Sequence, residues 1–417
     1  MFTFIPPYTG SMAILSLLSY VLVQTLGLFI AFAAAAVLLY MILRRFHSRG
    51  ITLTLCAVFI GVSVFFYVPN GLPQGFEYAA YRTTYGPGGS PSLPFWNVIT
   101  FFRHFNEFER VADIAHDPNK VGAPIGRTAT TTVQVTVEAK EVISEIAPGV
   151  YQNYWTYDGT VPGPMVRVRV GDTVVVAFKN HESSLHPHTI DFHAVIGPGG
   201  GAGVLLANPG ETKTLTFTAM HAGLFVYHCA AQNPAIHMAH GQYGLILVEP
   251  EVPLPPVDHE FYVMQGEFYT TGTLGQKGLQ IFDSKAMLDG NPNYVVFNGR
   301  TGALSKSLNA KTGETVRFYV GNGGVNLISS FHVIGTVFDR VWQEGSITSA
   351  PVTDVQTTLV PAGGSTVVDL TLRVPGNFVL VDHALARVDK GAWGILHVTG
   401  EPEPGVFQGV LQEMKGH

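Results

Sequence analysis

His228 and Cys229 are joined by one peptide bond, His237 follows eight residues after the cysteine, and upstream stands His188-Thr189-Ile190-Asp191-Phe192-His193. Imidazole, thiolate and carboxylate are the donor types of metal sites, and their spacing sorts them. The segments that carry them, Gly223 to Cys229 and Thr189 to His193, lie in β-rich, turn-punctuated surroundings, so successive side chains point to opposite faces. His228 and Cys229 then face opposite ways. His188 and His193, five positions apart, are likewise split, whereas Asp191 shares the face of His193. One set is His188, Cys229 and His237: two imidazoles and a soft thiolate, the ligand set of a blue-copper electron-transfer site. The other is His193 and His228 with Asp191 nearby, an imidazole pair that lacks a third ligand and suits a catalytic metal with an open position. A lone cysteine or histidine is more often a core residue than a ligand, but five positions at strand-consistent spacing reverse that balance. His186 and His240 lie within a few residues of these groups, and their roles stay open.

The elements that must hold these residues are short strands. From Thr128 onward the chain alternates as in Thr131-Thr-Val-Gln-Val-Thr-Val-Glu138, between Gly and Pro turns, which is the pattern of an all-β sandwich. An internal repeat divides this region. Gly171-Asp-Thr-Val recurs as Gly313-Glu-Thr-Val, Gly223-Leu-Phe-Val-Tyr as Gly376-Asn-Phe-Val-Leu, and Tyr243-Gly-Leu-Ile-Leu-Val as Trp393-Gly-Ile-Leu-His-Val, at offsets of 142, 153 and 150. Two similar sandwiches in tandem follow, with the Pro-rich stretch Pro250 to Pro256 between them. The second copy has no cysteine matching Cys229 and cannot hold a thiolate-bound copper, yet it keeps His332 and His383. A degenerate copy that retains selected histidines most simply contributes to another site. His383 is therefore the candidate third ligand for the His193–His228 pair.

With 417 residues, 47% of them hydrophobic, the chain can build two or three domains with real cores. A net charge of −6 argues against nucleic acid as a partner. The two cysteines are Cys56, in an apolar run, and Cys229, so no structural disulfide is expected, and neither sits in a haem-attachment motif. No charged residue occurs before Arg44, and Ala13 to Leu43 exceeds the roughly 20 residues that cross a bilayer. Ile51 to Val68 is a second uncharged run, and the link between them carries Arg44, Arg45 and Arg49. The expectation is a two-helix transmembrane hairpin over residues 1–69 with its basic link in the cytoplasm. That would put the chain in the inner membrane, its β domains on the periplasmic side. Residues 70–125, rich in Pro, Gly and Tyr at first and aromatic from Phe95 to Ile114, read as a linker and packing segment.

Taken together, His-x-x-Asp-x-His, His-Cys-x7-His and Asp382-His383 closely resemble the copper-containing nitrite reductases over about residues 110 to 400. The resemblance implies two cupredoxin domains of Greek-key β-sandwich type, here at 126–250 and 251–417, in each subunit of a homotrimer. It implies type 1 copper on His188, Cys229 and His237, and type 2 copper on His193 and His228 of one subunit with His383 of its neighbour. It further implies nitrite as substrate, Asp191 and His332 as the proton-handling pair, and Ile334 as the apolar residue shaping the nitrite pocket. One departure is Gln242, which stands where the family's axial Met falls; a harder amide oxygen favours Cu(II) and predicts a lower type 1 potential. The hairpin is a second departure. It would place the enzyme on membrane lipid, beside a membrane-associated donor such as a quinol-linked complex, a cytochrome c or a cupredoxin. The alternatives are a membrane-anchored cupredoxin electron carrier, which has no use for His193, Asp191, His332 and His383, and a multicopper oxidase, whose paired His-x-His motifs are missing here.

Overall fold

The computed structural model describes residues 106–401 without a break, together with 403 and 405–409, and before them 32–33, 35–45, 48–70, 77–78, 83–84 and 103. The alternation read from the sequence becomes pleat. Along Thr173–Asn180 the buried positions are Val174, Val176, Phe178 and Asn180, every second residue. This strand lies parallel to Thr132–Ala147 and antiparallel to Thr212–Thr218. Pairing between segments this far apart in sequence is the crossover of a Greek-key sandwich, not a meander.

The first sandwich sets the sheet containing Val150–Tyr157, Thr132–Ala147, Thr173–Asn180 and Thr212–Thr218 against a sheet ordered Val166–Arg169, Tyr243–Glu249, Gly223–His228 and Asp191–Phe192. The second repeats the plan. One sheet is ordered Tyr294–Phe297, His259–Phe268, Thr315–Asn322, Ser365–Thr371 and Arg340–Trp342, and the other Leu304–Lys311, Trp393–Thr399, Gly376–Asp382, Ser329–Ile334 and Thr357–Val360. One strand crosses over: Gly278–Leu279, from the second half of the chain, pairs in parallel with Val150–Tyr157 and forms an edge of the first sandwich.

Three large apolar clusters follow from this arrangement. Val137, Val176, Phe178, Tyr227 and Ile246 fill the first sandwich around Cys229, and Phe261, Phe318, Phe331 and Leu380 fill the second. A third cluster, including Tyr154, Tyr243, Leu245, Tyr262, Met264 and Val296, lies between the two. Ile114 and Val121 are buried in that cluster, so residues preceding the first long strand help to weld the halves.

The transmembrane hairpin is not upheld. Ala13 to Leu43 lies mostly outside the described residues, and Ile51 to Val68 falls in a helix, Arg49–Asn70. Among the described residues no helix is long and apolar enough to cross a membrane. An uncharged run is a weaker criterion than an apolar helix of full bilayer length: this helix also carries Thr52 and Thr54, whose hydroxyls bond back to the carbonyls of Ser48 and Gly50. The fold is mostly β, of cupredoxin-like domains. The inner-membrane location, the contact with lipid and the reason for confining the electron donor to a membrane fall with the hairpin.

Candidate metal centres

Among the described residues, two groups bring ligand atoms within 4.8 Å of one another: His188, Cys229 and His237, and Asp191, His193 and His228. They are the two sets that strand parity separates. The Gly223–His228 strand ends at the histidine, leaving Cys229 fully buried at its tip while His228 emerges half-buried on the other side. Opposite it, Asp191–Phe192 pairs antiparallel, with Asp191 directly across from His228. His237 comes from a different kind of element, the short helix Pro234–Ala239, which parity could not address.

In the buried group, Nδ1 of His188 and Nδ1 of His237 stand 3.2 Å apart. Sγ of Cys229 lies 3.2 Å from the His237 nitrogen and 4.0 Å from that of His188. Gln242 Oε1 closes the ring, 3.2 Å from His237 Nδ1, and the Gln242 amide nitrogen is buried without a partner. Imidazole nitrogens about 3.3 Å apart are what one ion at about 2 Å from each would require at a tetrahedral angle. The electrostatics agree. Burial holds His188 and His237 below the ordinary imidazole range, so both present neutral lone pairs. Burial also pushes the Cys229 thiol up to about 12, against the opposing amides of Ala231 and Thr189. A thiol this reluctant to ionise becomes a thiolate only where a cation replaces its proton, and the donor set fits copper.

Around this group stand residues that the sequence reading missed or left open. Glu141, fully buried, accepts hydrogen bonds from the amides of Leu185 (2.8 Å) and His186 (2.9 Å) and from His186 Nδ1 (2.9 Å). Its Oε1 lies 3.4 Å from His188 Nε2, the nitrogen that points away from the cluster. Burial alone would raise the Glu141 pKa, but His186 and His188 outweigh it and hold the carboxyl well below its usual range. Trp155 stacks on His240 with ring centroids 4.2 Å apart, and packs on His186 at 4.4 Å and on the edge of His237 at 4.6 Å. Burial brings the His240 pKa down to about 4, so that ring is a neutral packing partner. Glu141 did carry a sequence signal. It shares the parity of Val135, Val137 and Ala139, an acidic residue on the inward face of its strand.

In the second group, Nε2 of His193 and Nε2 of His228 are 3.1 Å apart, with the rings nearly perpendicular. His228 Nδ1 faces the Cys229 carbonyl at 3.0 Å. A carbonyl only accepts, so Nδ1 carries the proton and the Nε2 lone pair is free. Partial loss of solvent, then the neighbouring His228, lower the His193 pKa, which keeps it neutral as a ligand must be. The pair also fits one ion, with room left for further ligands.

The remaining expected residues gather elsewhere on the same chain. His332 and His383 are neighbours, with ring centroids 5.4 Å apart, and His332 Nδ1 donates to the Gln356 carbonyl. Ile334 ends the same strand and is 46% exposed. Among the described residues, neither His332 nor His383 joins the His193–His228 group.

The comparisons with known proteins bear on this arrangement. A family model described as multicopper oxidase matches residues 138–253, which span the first sandwich alone. A copper-containing nitrite reductase of Neisseria meningitidis is 49% identical over 301 residues, covering 72% of this chain and 77% of that protein. One from Cereibacter sphaeroides is 33% identical, covering 71% of this chain and 83% of its own length. Among solved structures, a copper nitrite reductase from Nitrosomonas europaea aligns with a TM-score of 0.59 at 35% identity, over 67% of this chain and 98% of that one.

Proposed function

The chain belongs to the copper-containing nitrite reductases, and from that premise we infer how its own side chains divide the work. It is an enzyme that reduces nitrite to nitric oxide and water, with copper in type 1 and type 2 centres as cofactor. The observation that carries the assignment of residues is the pair of donor clusters joined through the single peptide bond of His228 and Cys229. His188, Cys229, His237 and Gln242 hold type 1 copper in this reading, supported by their converging donor atoms and by the energetics of the buried thiol. His193 and His228 hold type 2 copper together with His383 of a neighbouring subunit in a homotrimer. What supports the sharing is that His383 and His193 are both exposed, while His383 lies outside its own chain's group.

When bound, the two coppers supply electron relay and an open position for an oxygen-bound anion. The protein must add two protons per nitrite. Asp191, beside the imidazole pair, and His332, with Nδ1 committed to a carbonyl, are the groups proposed to deliver them, and Ile334 to limit the space around nitrite. The cupredoxin domains are placed at 126–250 and 251–417, with 70–125 as linker and packing segment. A one-electron carrier protein, a cytochrome c or a cupredoxin, is the proposed donor.

Two measurements test this. Copper analysis with electron paramagnetic resonance should give two distinct Cu(II) signals per chain, and nitrite with an artificial donor should yield nitric oxide; one copper and no activity would leave an electron carrier. Co-expressed His193→Ala and His383→Ala chains, each inactive alone, should regain activity as mixed trimers. No recovery would place the third ligand elsewhere.

A further inference from the structure

Beside Asp191 stands a residue that has no side chain, Gly200. Among the described residues no side chain or backbone amide donates to the Asp191 carboxylate, and what bounds it on one side is a close backbone approach. Across from it runs the turn Pro198–Gly201, in which Gly199 (φ 61°) and Gly200 (φ 54°) take the left-handed conformation. A Cβ added to Gly200 would fall 1.8 Å from Asp191 Oδ1 and 2.9 Å from the Phe192 carbonyl oxygen. At Gly199 a Cβ would meet nothing within 4 Å.

The turn cannot simply retreat. The Thr189 hydroxyl donates to the Ala202 carbonyl at 2.6 Å, and a Cβ on Gly201 would stand 2.3 Å from Leu215 of the neighbouring strand, so the backbone already lies hard against it. Asp191 is thus confined between a tethered glycine wall and the His193–His228 pair, whose ligand nitrogens lie within 4.8 Å of its carboxylate.

We propose that Gly200 is a positioning residue: the absence of a side chain there creates the space in which the Asp191 carboxylate is held beside the imidazole pair. The proposal rests on the catalytic reading of Asp191 for its effect on turnover, but not for its effect on geometry. Gly199 and Gly200 share the backbone strain of a positive φ, so their alanine variants differ chiefly in what the methyl group touches.

The test is a set of four variants: Gly199→Ala, Gly200→Ala, Asp191→Ala and the Asp191→Ala/Gly200→Ala double. Gly199→Ala should keep kcat/KM for nitrite within about twofold, whereas Gly200→Ala should lose about tenfold or more, part of the roughly hundredfold that a proton-handling group supplies. In the Asp191→Ala background Gly200→Ala should cost nothing further. A crystal structure of copper-free Gly200→Ala should show the carboxylate displaced from His193 by more than about 1 Å, the scale set by a methyl group entering its space. A carboxylate in its present place with the turn shifted instead overturns the proposal, as does an equal loss in both backgrounds. Should Gly200→Ala fail to fold, the double variant decides. Recovery of folding there identifies the carboxylate as what the methyl group strikes, and no recovery overturns the proposal in favour of the Phe192 carbonyl. Full activity in Asp191→Ala itself would instead remove the catalytic reading of Asp191 and leave the geometric test standing.

Discussion

In the first sandwich the Thr189 amide donates to Cys229 Sγ, the Cys229 amide to the Gln242 carbonyl, and the Gln242 amide to the His237 carbonyl. In the second, the Ser330 amide donates to Asp382 Oδ1, the Asp382 amide to the Ala392 carbonyl, and the Ala392 amide to the Arg387 carbonyl. The same bonds equate His188, Cys229, His237 and Gln242 with Ser329, Asp382, Arg387 and Ala392. Arg387 Nη1 stands 2.6 Å from Asp382 Oδ2. An ion pair in one sandwich therefore occupies the place of the proposed metal donors in the other. The frame demands a satisfied polar centre at this point, and an internal cation meets the demand as a metal would.

A second pair of positions sharpens the contrast. Glu141 accepts the amides of Leu185 and His186, and Glu267 accepts those of Asn326 and Leu327. The backbone role is shared, but the pKa directions are opposite. Burial raises Glu267 and its hydroxyl and amide donors do not cancel the effect, whereas two imidazoles reverse it for Glu141. One carboxylate props a loop; the other also grips His188.

Replacing Cys229 by Ser should have the largest effect, with loss of the type 1 signal and a fall of more than about a thousandfold in nitrite reduction driven by a protein donor. A surviving blue centre would break the comparison. Next, Asp382→Ala removes the acceptor of buried Gln265, of the Ser330 amide and of the partly exposed Arg387, and should cost about 1 to 3 kcal/mol, read from denaturant unfolding. Copper content should hold at the type 1 site, so its loss would show the two centres to be one unit. Glu141→Gln should weaken type 1 copper retention by about ten- to a hundredfold in a chelator competition, while Glu267→Gln leaves it unchanged; equal effects would deny Glu141 its grip on His188. Gln242→Met should raise the type 1 reduction potential, measured by redox titration. An unchanged or lower potential would remove Gln242 from the axial position.

The smallest effect concerns the repeated turn at Asp172 and Glu314. Asp172 is buried and accepts from Arg127, Thr131 and Arg169, whereas Glu314 is more exposed and accepts from Lys311 and His259. At pH 7 Asp172→Asn should cost about 1 to 2 kcal/mol and Glu314→Gln less than about 0.5 kcal/mol. For each, burial raises the pKa, yet the hydrogen bonds outweigh it and hold the carboxyl below its usual range. Each contribution is accordingly present above the unfolded pKa and fades as pH falls through the folded one. Thermal melts of Asp172→Asn and the parent protein should converge under acid. A gap that persists there would trace the cost to packing.

Strand parity was enough to separate His228 from Cys229, because a pleat fixes alternate faces whatever the tertiary contacts. It could not deliver His237 or Gln242 to the cluster, since a helix and a turn intervene. The repeat offsets announced two sandwiches and set Asp382 against Cys229, and yet the ion pair of Asp382 with Arg387 became visible only when hydrogen-bond partners could be matched. Gly200 carries no chemical signal at all; its effect lies in space left empty. The hairpin was read from the length and lack of charge of two runs, and among the described residues no helix is long and apolar enough to cross a membrane.

The Gly278–Leu279 strand has a consequence for how the chain is made. Its amides and carbonyls complete the edge beside Val150 and Tyr151, and Leu279 covers Phe108 and Ile143. A ribosome that has released only the first sandwich has thus released one with an open edge and an exposed apolar seam. That half must wait for its successor to be translated before it can close, and a fragment ending at residue 250 would remain permanently in the state of a nascent chain.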